Sequence, residues 1–136
     1  MKTLLKNGTI YDGSGAAPYV GDVLFEGDTI LEVGKNISAL VITVVFPEWY
    51  ARLTAEKIVR KMSGATADRY EIPQRGYLRP GYKADVTMLN LDAMRVDETK
   101  PDRRPTGIVH VFVNGRPVMK DGAYLGAQAG ELVLKK

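Results

Sequence analysis

Cysteine is absent from the 136 residues, and histidine and tryptophan occur once each, as His110 and Trp49. Without thiols there is no disulfide scaffold, iron–sulfur cluster, thiolate zinc site or Cys nucleophile. A hydrolytic metal site usually takes three protein ligands, often two or more of them His, and one His leaves little to build with. Long apolar runs are missing as well. The longest, Ala39 to Phe46, is interrupted by Thr43 and is too short to span a bilayer. The opening residues, Met1 to Gly8, hold no apolar run of signal-peptide length. A cytoplasmic chain without membrane contact is therefore expected. Charge of one sign is scarce too, with 19 Lys and Arg against 16 Asp and Glu and a net charge of +3. The densest basic cluster, Lys100 to Arg104, also carries Pro101 and Asp102, and it reads as a solvated loop. No nucleic-acid partner is expected, because such proteins gather their positive charge on one face.

What is present is a chain with 45% hydrophobic residues, enough to bury the core of one domain. It is too short for a TIM barrel, which needs about 200 residues or more. Turn chemistry punctuates both ends. Thr3 to Lys6 and Thr9 to Tyr11 flank Asn7-Gly8, a dipeptide suited to the two positive-φ positions of a type I′ hairpin. Val23 to Glu26 and Thr29 to Val33 flank Gly27-Asp28 in a second hairpin. Ile108 to Val113 and Arg116 to Lys120 flank Asn114-Gly115 in a third, and Asp121-Gly122 offers one more turn. Ala84 to Leu89 is a further strand, and Asp97 to Gly107 a polar loop.

The middle has a different pattern. Leu40 to Phe46 is rich in β-branched residues without polar alternation, as in a strand buried on both faces, and Pro47 stops it. From Pro47 to Met62 the apolar residues recur with helical spacing on two opposed faces, which predicts two helices broken near Thr54. Thr54 fits an N-cap and Gly64 the C′ position of the second. The fold class expected is mainly β, a β-sandwich with one or two short α-helices in the middle.

Few residues offer chemistry. Gly13-Ser14-Gly15 lacks the third glycine and the following helix of a dinucleotide fingerprint, and it reads as a turn. Asn7-Gly8-Thr9 and Asn36-Ile37-Ser38 match the glycosylation acceptor pattern without a secretory context. Glu48 beside Trp49 is a carboxylate that burial would shift upward, yet Pro-Glu is also an ordinary helix start. His110 lies in mid-strand among apolar neighbours, with no Gly-x-Ser-x-Gly elbow for a triad. It reads as a partly exposed strand residue. No catalytic, cofactor-binding or metal residue is assigned.

Several segments together resemble the metal-dependent amidohydrolase superfamily, and within it the N-acyl-D-amino-acid deacylases (D-aminoacylases). Lys6 to Gly15, Gly21-Asp22-Val23 and Ile30 to Gly34 are similar to that family's opening. Leu53 to Met62 looks like its last barrel helix, and Arg75 to Val86 like the stretch leading back to its small domain. Val111 to Val118 resembles its closing hairpin. The resemblance implies a barrel holding one or two divalent metals that activate water against an amide carbon. A small β-sandwich assembled from both chain ends accompanies that barrel. Here both ends are present, while the family's His-x-His pair, later His ligands, bridging residue and catalytic Asp have no counterparts. Asn90 also stands where the family often has Asp.

The expectation is therefore a single composite domain, 1–136. It comprises an N-terminal β arm at 1–37, a junction at 38–52 replacing the barrel, a helix at 53–64 and a C-terminal β arm at 65–136. Strands from the two ends are expected to share one sheet system. By resemblance the chain is a D-aminoacylase-like hydrolase of non-peptide C–N bonds, inactive in this form. No cofactor is expected, where the family has zinc or another divalent metal. The alternative is a non-catalytic binding or self-associating module. The face left by the barrel would then be covered by Val41, Val44, Val45, Phe46, Trp49 and Leu53, either within the chain or across the two-fold interface of a homodimer.

Overall fold

In the computed structural model, which describes residues 2–34, 54–95, 99 and 105–133, alternating apolar side chains build two antiparallel sheets. The first is β1 (Lys2–Ile10), β2 (Tyr19–Glu26) and β3 (Thr29–Gly34), in that order. The second is β4 (Val86–Leu89), β5 (Ile108–Val113), β6 (Arg116–Lys120) and β7 (Ala123–Tyr124). Helices α1 (Ala55–Met62) and α2 (Gly64–Arg69) lie between them in the chain, and a 3₁₀ turn at Leu91–Ala93 follows β4.

Each arm makes its own sheet, which corrects the expectation of one shared sheet system. Tight turns at Gly27-Asp28 and Asn114-Gly115 bring local partners together, and short loops close at less entropic cost than distant pairings. The arms meet along a seam instead. Thr29 bridges Lys83, and the Ile30 N–H donates to the Tyr82 carbonyl at 2.7 Å. The Ala84 N–H donates to Asp28 at 2.6 Å, and the Gly115 N–H to Ala84 at 2.9 Å. Behind this seam Leu5, Ile10, Val23, Phe25 and Ile30 of the first arm pack on Leu78, Ala84 and Val86 of the second. The composite sandwich is real, with one layer from each end.

Asn7-Gly8 does not turn the chain. β1 runs straight through it, and the register with β2 shifts between Leu5 and Gly8. Asn7 has φ 62°. A bulge can take a left-handed residue, as a type I′ turn must, so the dipeptide suits either. Pairing decides between them: Thr9 and Ile10 continue opposite Val20 and Tyr19, and Ile10 is fully buried. The other turns follow the sequence, with Asn114 at φ 49° and Gly115 at 71°. Asp121-Gly122 leads into β7.

Thr54 stands at the N-cap of α1 in extended backbone, but its hydroxyl bonds the Glu56 carboxylate and caps no N–H. Gly64 is not a helix stop. Ser63 closes α1 and Gly64 opens α2, tight against the Gly13 carbonyl where a Cβ would collide. Its glycine serves close backbone approach and not left-handed geometry, which is the correction to the C′ assignment. The Leu40 to Phe46 strand, the first of the two helices, Glu48, Asn36-Ile37-Ser38, the Lys100 to Arg104 cluster and the covering residues Val41, Val44, Val45, Phe46, Trp49 and Leu53 lie outside the described residues.

Candidate functional site

A cavity of about 200 Å³ sits where the loop after β1, the helix pair and the strand-returning loop converge. Tyr11, Asp12, Val59, Ser63, Tyr77 and Lys83 are among its walls. The Asp12 carboxylate accepts from the Ser14 N–H at 2.9 Å and the Ser14 hydroxyl at 2.6 Å. That closes Asp12-Gly13-Ser14-Gly15 as a turn, with no helix after it, as the sequence indicates. The Ser63 hydroxyl donates back to the Val59 carbonyl at 2.7 Å. Lys83 is ion-paired with Asp28, whose carboxyl is held below the usual range by hydrogen bonds from Lys83 and then Thr29.

Beside the cavity a polar cluster ties α1 and α2 to the loop that follows. The Tyr77 hydroxyl donates to Asp68 at 2.6 Å and accepts from Arg60 at 2.8 Å, while Arg60 also reaches Asp68 at 2.8 Å. The Arg79 guanidinium stacks 4.1 Å from the Tyr77 ring centroid. Asp68 is held below the usual carboxylate range, first by the Tyr77 hydroxyl and then by Arg60. The same bond, with burial, pushes the Tyr77 phenol up. Arg75 binds Asp85, Asn114 and Glu131, drawing 129–131 onto the second sheet. These groups satisfy one another. No nucleophile faces a base within this cluster.

His110 stands apart on β5, opposite Met88. Its side chain is 24% exposed, its Nδ1 accepts from the Asp121 N–H at 3.3 Å, and its Nε2 lies 3.7 Å from Asp121 Oδ1. The partly exposed strand residue read from the sequence is what the fold contains.

Asp22 is the residue that sequence reading passed over. It is 1% exposed on β2, and its Oδ2 has no hydrogen-bond partner. Burial pushes its carboxyl up, against the pull of nearby Lys6 and the Asn7 N–H at the bulge. A charged residue directly beside the apolar Val23 to Phe25 run was the available signal.

A divalent ion of the kind the resemblance implies needs three or more convergent donors. Among the described residues no three His, Asp or Glu side chains come together in that way. His110 already has one ring nitrogen engaged, and Asp12, Asp28, Asp68 and Asp85 are tied to hydroxyls or cations. Among the described residues, the donors do not fit a catalytic metal.

A model of the amidohydrolase family matches residues 25–119. The D-aminoacylase of Alcaligenes xylosoxydans xylosoxydans is 38% identical over 84 residues, which are 59% of this chain and 17% of that protein. The N-acyl-D-aspartate deacylase of the same organism is 38% identical over 86 residues, 60% of this chain and 17% of that protein. A D-aminoacylase crystal structure described as defining a novel subset of amidohydrolases superimposes with a TM-score of 0.57 at 32% identity. That superposition covers 62% of this chain and 19% of the enzyme. A D-aminoacylase structure concerned with the role of a binuclear metal centre gives the same TM-score, 0.57, at 32% identity. The chain thus spans 17% of the length of the curated relatives it matches.

Proposed function

The chain belongs to the amidohydrolase family, and on that premise we propose that it is the composite β-sandwich of a D-aminoacylase-like hydrolase without its catalytic barrel, and is silent as a hydrolase. The observation that carries this reading is the short connection between the two arms. β3 ends at Gly34 and α1 begins at Ala55, so only residues 35–54 join them. A TIM barrel takes about 200 residues or more. Metal-assisted hydrolysis also needs an ion that polarises the carbonyl and acidifies water, and the donors among the described residues do not converge on one. The domain reading, a single unit over 1–136, belongs to the same proposal, as does a cytoplasmic location. No helix among the described residues is long and apolar enough to cross a membrane.

The test is hydrolysis of N-acetyl-D-amino acids by the purified chain, with zinc added and then with chelator. Background rates in both conditions support the reading. A zinc-dependent, chelator-sensitive rate contradicts it.

A second reading, self-association, is favoured by the helix pair, where Met62 is 46% and Tyr70 67% exposed. Contiguous exposed apolar surface commonly marks an interface, and a two-fold contact would cover these two side chains on both copies. Sedimentation equilibrium across a concentration series distinguishes dimer from monomer.

A further inference from the structure

The two sheets do not close evenly. At the seam the interior is dry, with Val23 and Ile30 at 0% and Phe25 at 1% exposure. Toward the free edge of β1 the layers part, and a groove of about 720 Å³ opens between them. Leu5, Met88, His110, Phe112 and Pro117 line it with apolar or aromatic surface. That volume falls within the range of ordinary small-molecule sites.

The charge around the groove is one-sided. Arg116 and Lys120 line it, both exposed and without an ion pair among the described residues. Met119 pairs with Val111 across β5 and β6, so in the same register Lys120 is level with His110. Lys6 lies at the same wall, and its charge also serves Asp22. The acid in the lining, Asp28, is already committed to Lys83 and Thr29. An apolar trough with spare cations at its margin suits a ligand with an apolar body and one negative end.

We propose that the groove between the sheets binds a small amphipathic carboxylate, with its hydrocarbon body against Met88 and Phe112 and its carboxylate at Arg116 and Lys120. This site rests on the groove alone and stands whether or not the chain hydrolyses amides.

Methyl NMR of the full chain with labelled methionine tests it directly. Met88 and Met119 line the groove, while Met62 and Met94 lie away from it and serve as internal references. Decanoate, below its micelle concentration, should shift the Met88 and Met119 signals saturably and leave Met62 and Met94 in place. Replacing both exposed cations (R116Q with K120Q) should weaken decanoate about tenfold, the loss expected for a charge-assisted contact. Decanol should bind the variant and the parent alike, and decyltrimethylammonium should shift nothing. The proposal is overturned if decanol binds the parent as tightly as decanoate, if the Met62 and Met94 signals shift together with those of Met88 and Met119, or if no signal moves. A concentration-dependent dimer that takes up no decanoate would also overturn it, assigning the groove to a second copy.

Discussion

Phe25 of the first sheet meets Phe112 of the second edge to face, with ring centroids 5.3 Å apart and planes at 69°. The two rings come from opposite ends of the chain and form the apolar clasp between its layers. Phe25 is fully buried, so Phe25→Ala should cost about 3–5 kcal/mol. The half-buried Phe112 should cost less when cut to Ala. Edge-to-face pairs add about 0.5–1.5 kcal/mol beyond area, so a double-mutant cycle in urea should show coupling of that order. Additive losses would mean that the rings touch without holding the arms.

Among the described residues the main apolar cluster is shared between the arms. Leu78, Ala84 and Val86 are buried against Leu5, Val23 and Phe25, and small sheets with one face bare are marginal in water. Residues 53–136 expressed alone should show no cooperative thermal transition, and adding 1–37 in trans should restore one. A sharp melt of the 53–136 fragment by itself would sink the composite account.

The two hairpin turns abut. Gly115, at φ +71°, lies so near the Gly27 carbonyl that an added Cβ would collide with it. Gly115→Ala should therefore cost more than the about 1–2 kcal/mol of left-handed strain alone. Gly81, at φ +81° with nothing within 4 Å of an added Cβ, is the matched control and should lose only that strain. Equal losses at both positions, measured by denaturant midpoints, would argue against tight contact between the turns.

Asp22 should make stability depend on pH in an unusual direction. Burial raises its carboxyl in the folded state above the unfolded value. Its contribution is thus fully present below the unfolded carboxylate pKa and is lost as pH rises through the folded one. Asp22→Asn keeps an oxygen for the Asn7 N–H and removes the charge, so the variant should match or exceed the parent at neutral pH. The parent should gain on it toward acid. A variant that is weaker at neutral pH, with no change in the difference toward acid, would show that the ionised carboxylate is favourable there.

The hairpins at Gly27-Asp28 and Asn114-Gly115 were legible because turn dipeptide and flanking alternation agreed. Asn7-Gly8 was not, because left-handed backbone serves a bulge as well as a turn, and only the partner strand chooses. Gly64 likewise looked like a stop, although contact with the Gly13 carbonyl, distant in sequence, is what demands it. His110 was legible as a strand residue from its apolar neighbours. Asp22 and the intersheet groove were not, since both depend on how far apart two layers stand. Periodicity within one strand carries no information about that spacing.

The central claim is a folded amidohydrolase sandwich without a metal centre, and metal content tests it most directly. The purified chain should be exchanged against zinc, dialysed exhaustively and analysed for metal, beside His110→Ala treated in the same way. The account predicts substoichiometric zinc in both samples, with no difference between them. One zinc per chain that survives dialysis and disappears in His110→Ala would contradict it, because His110 would then anchor a true metal site.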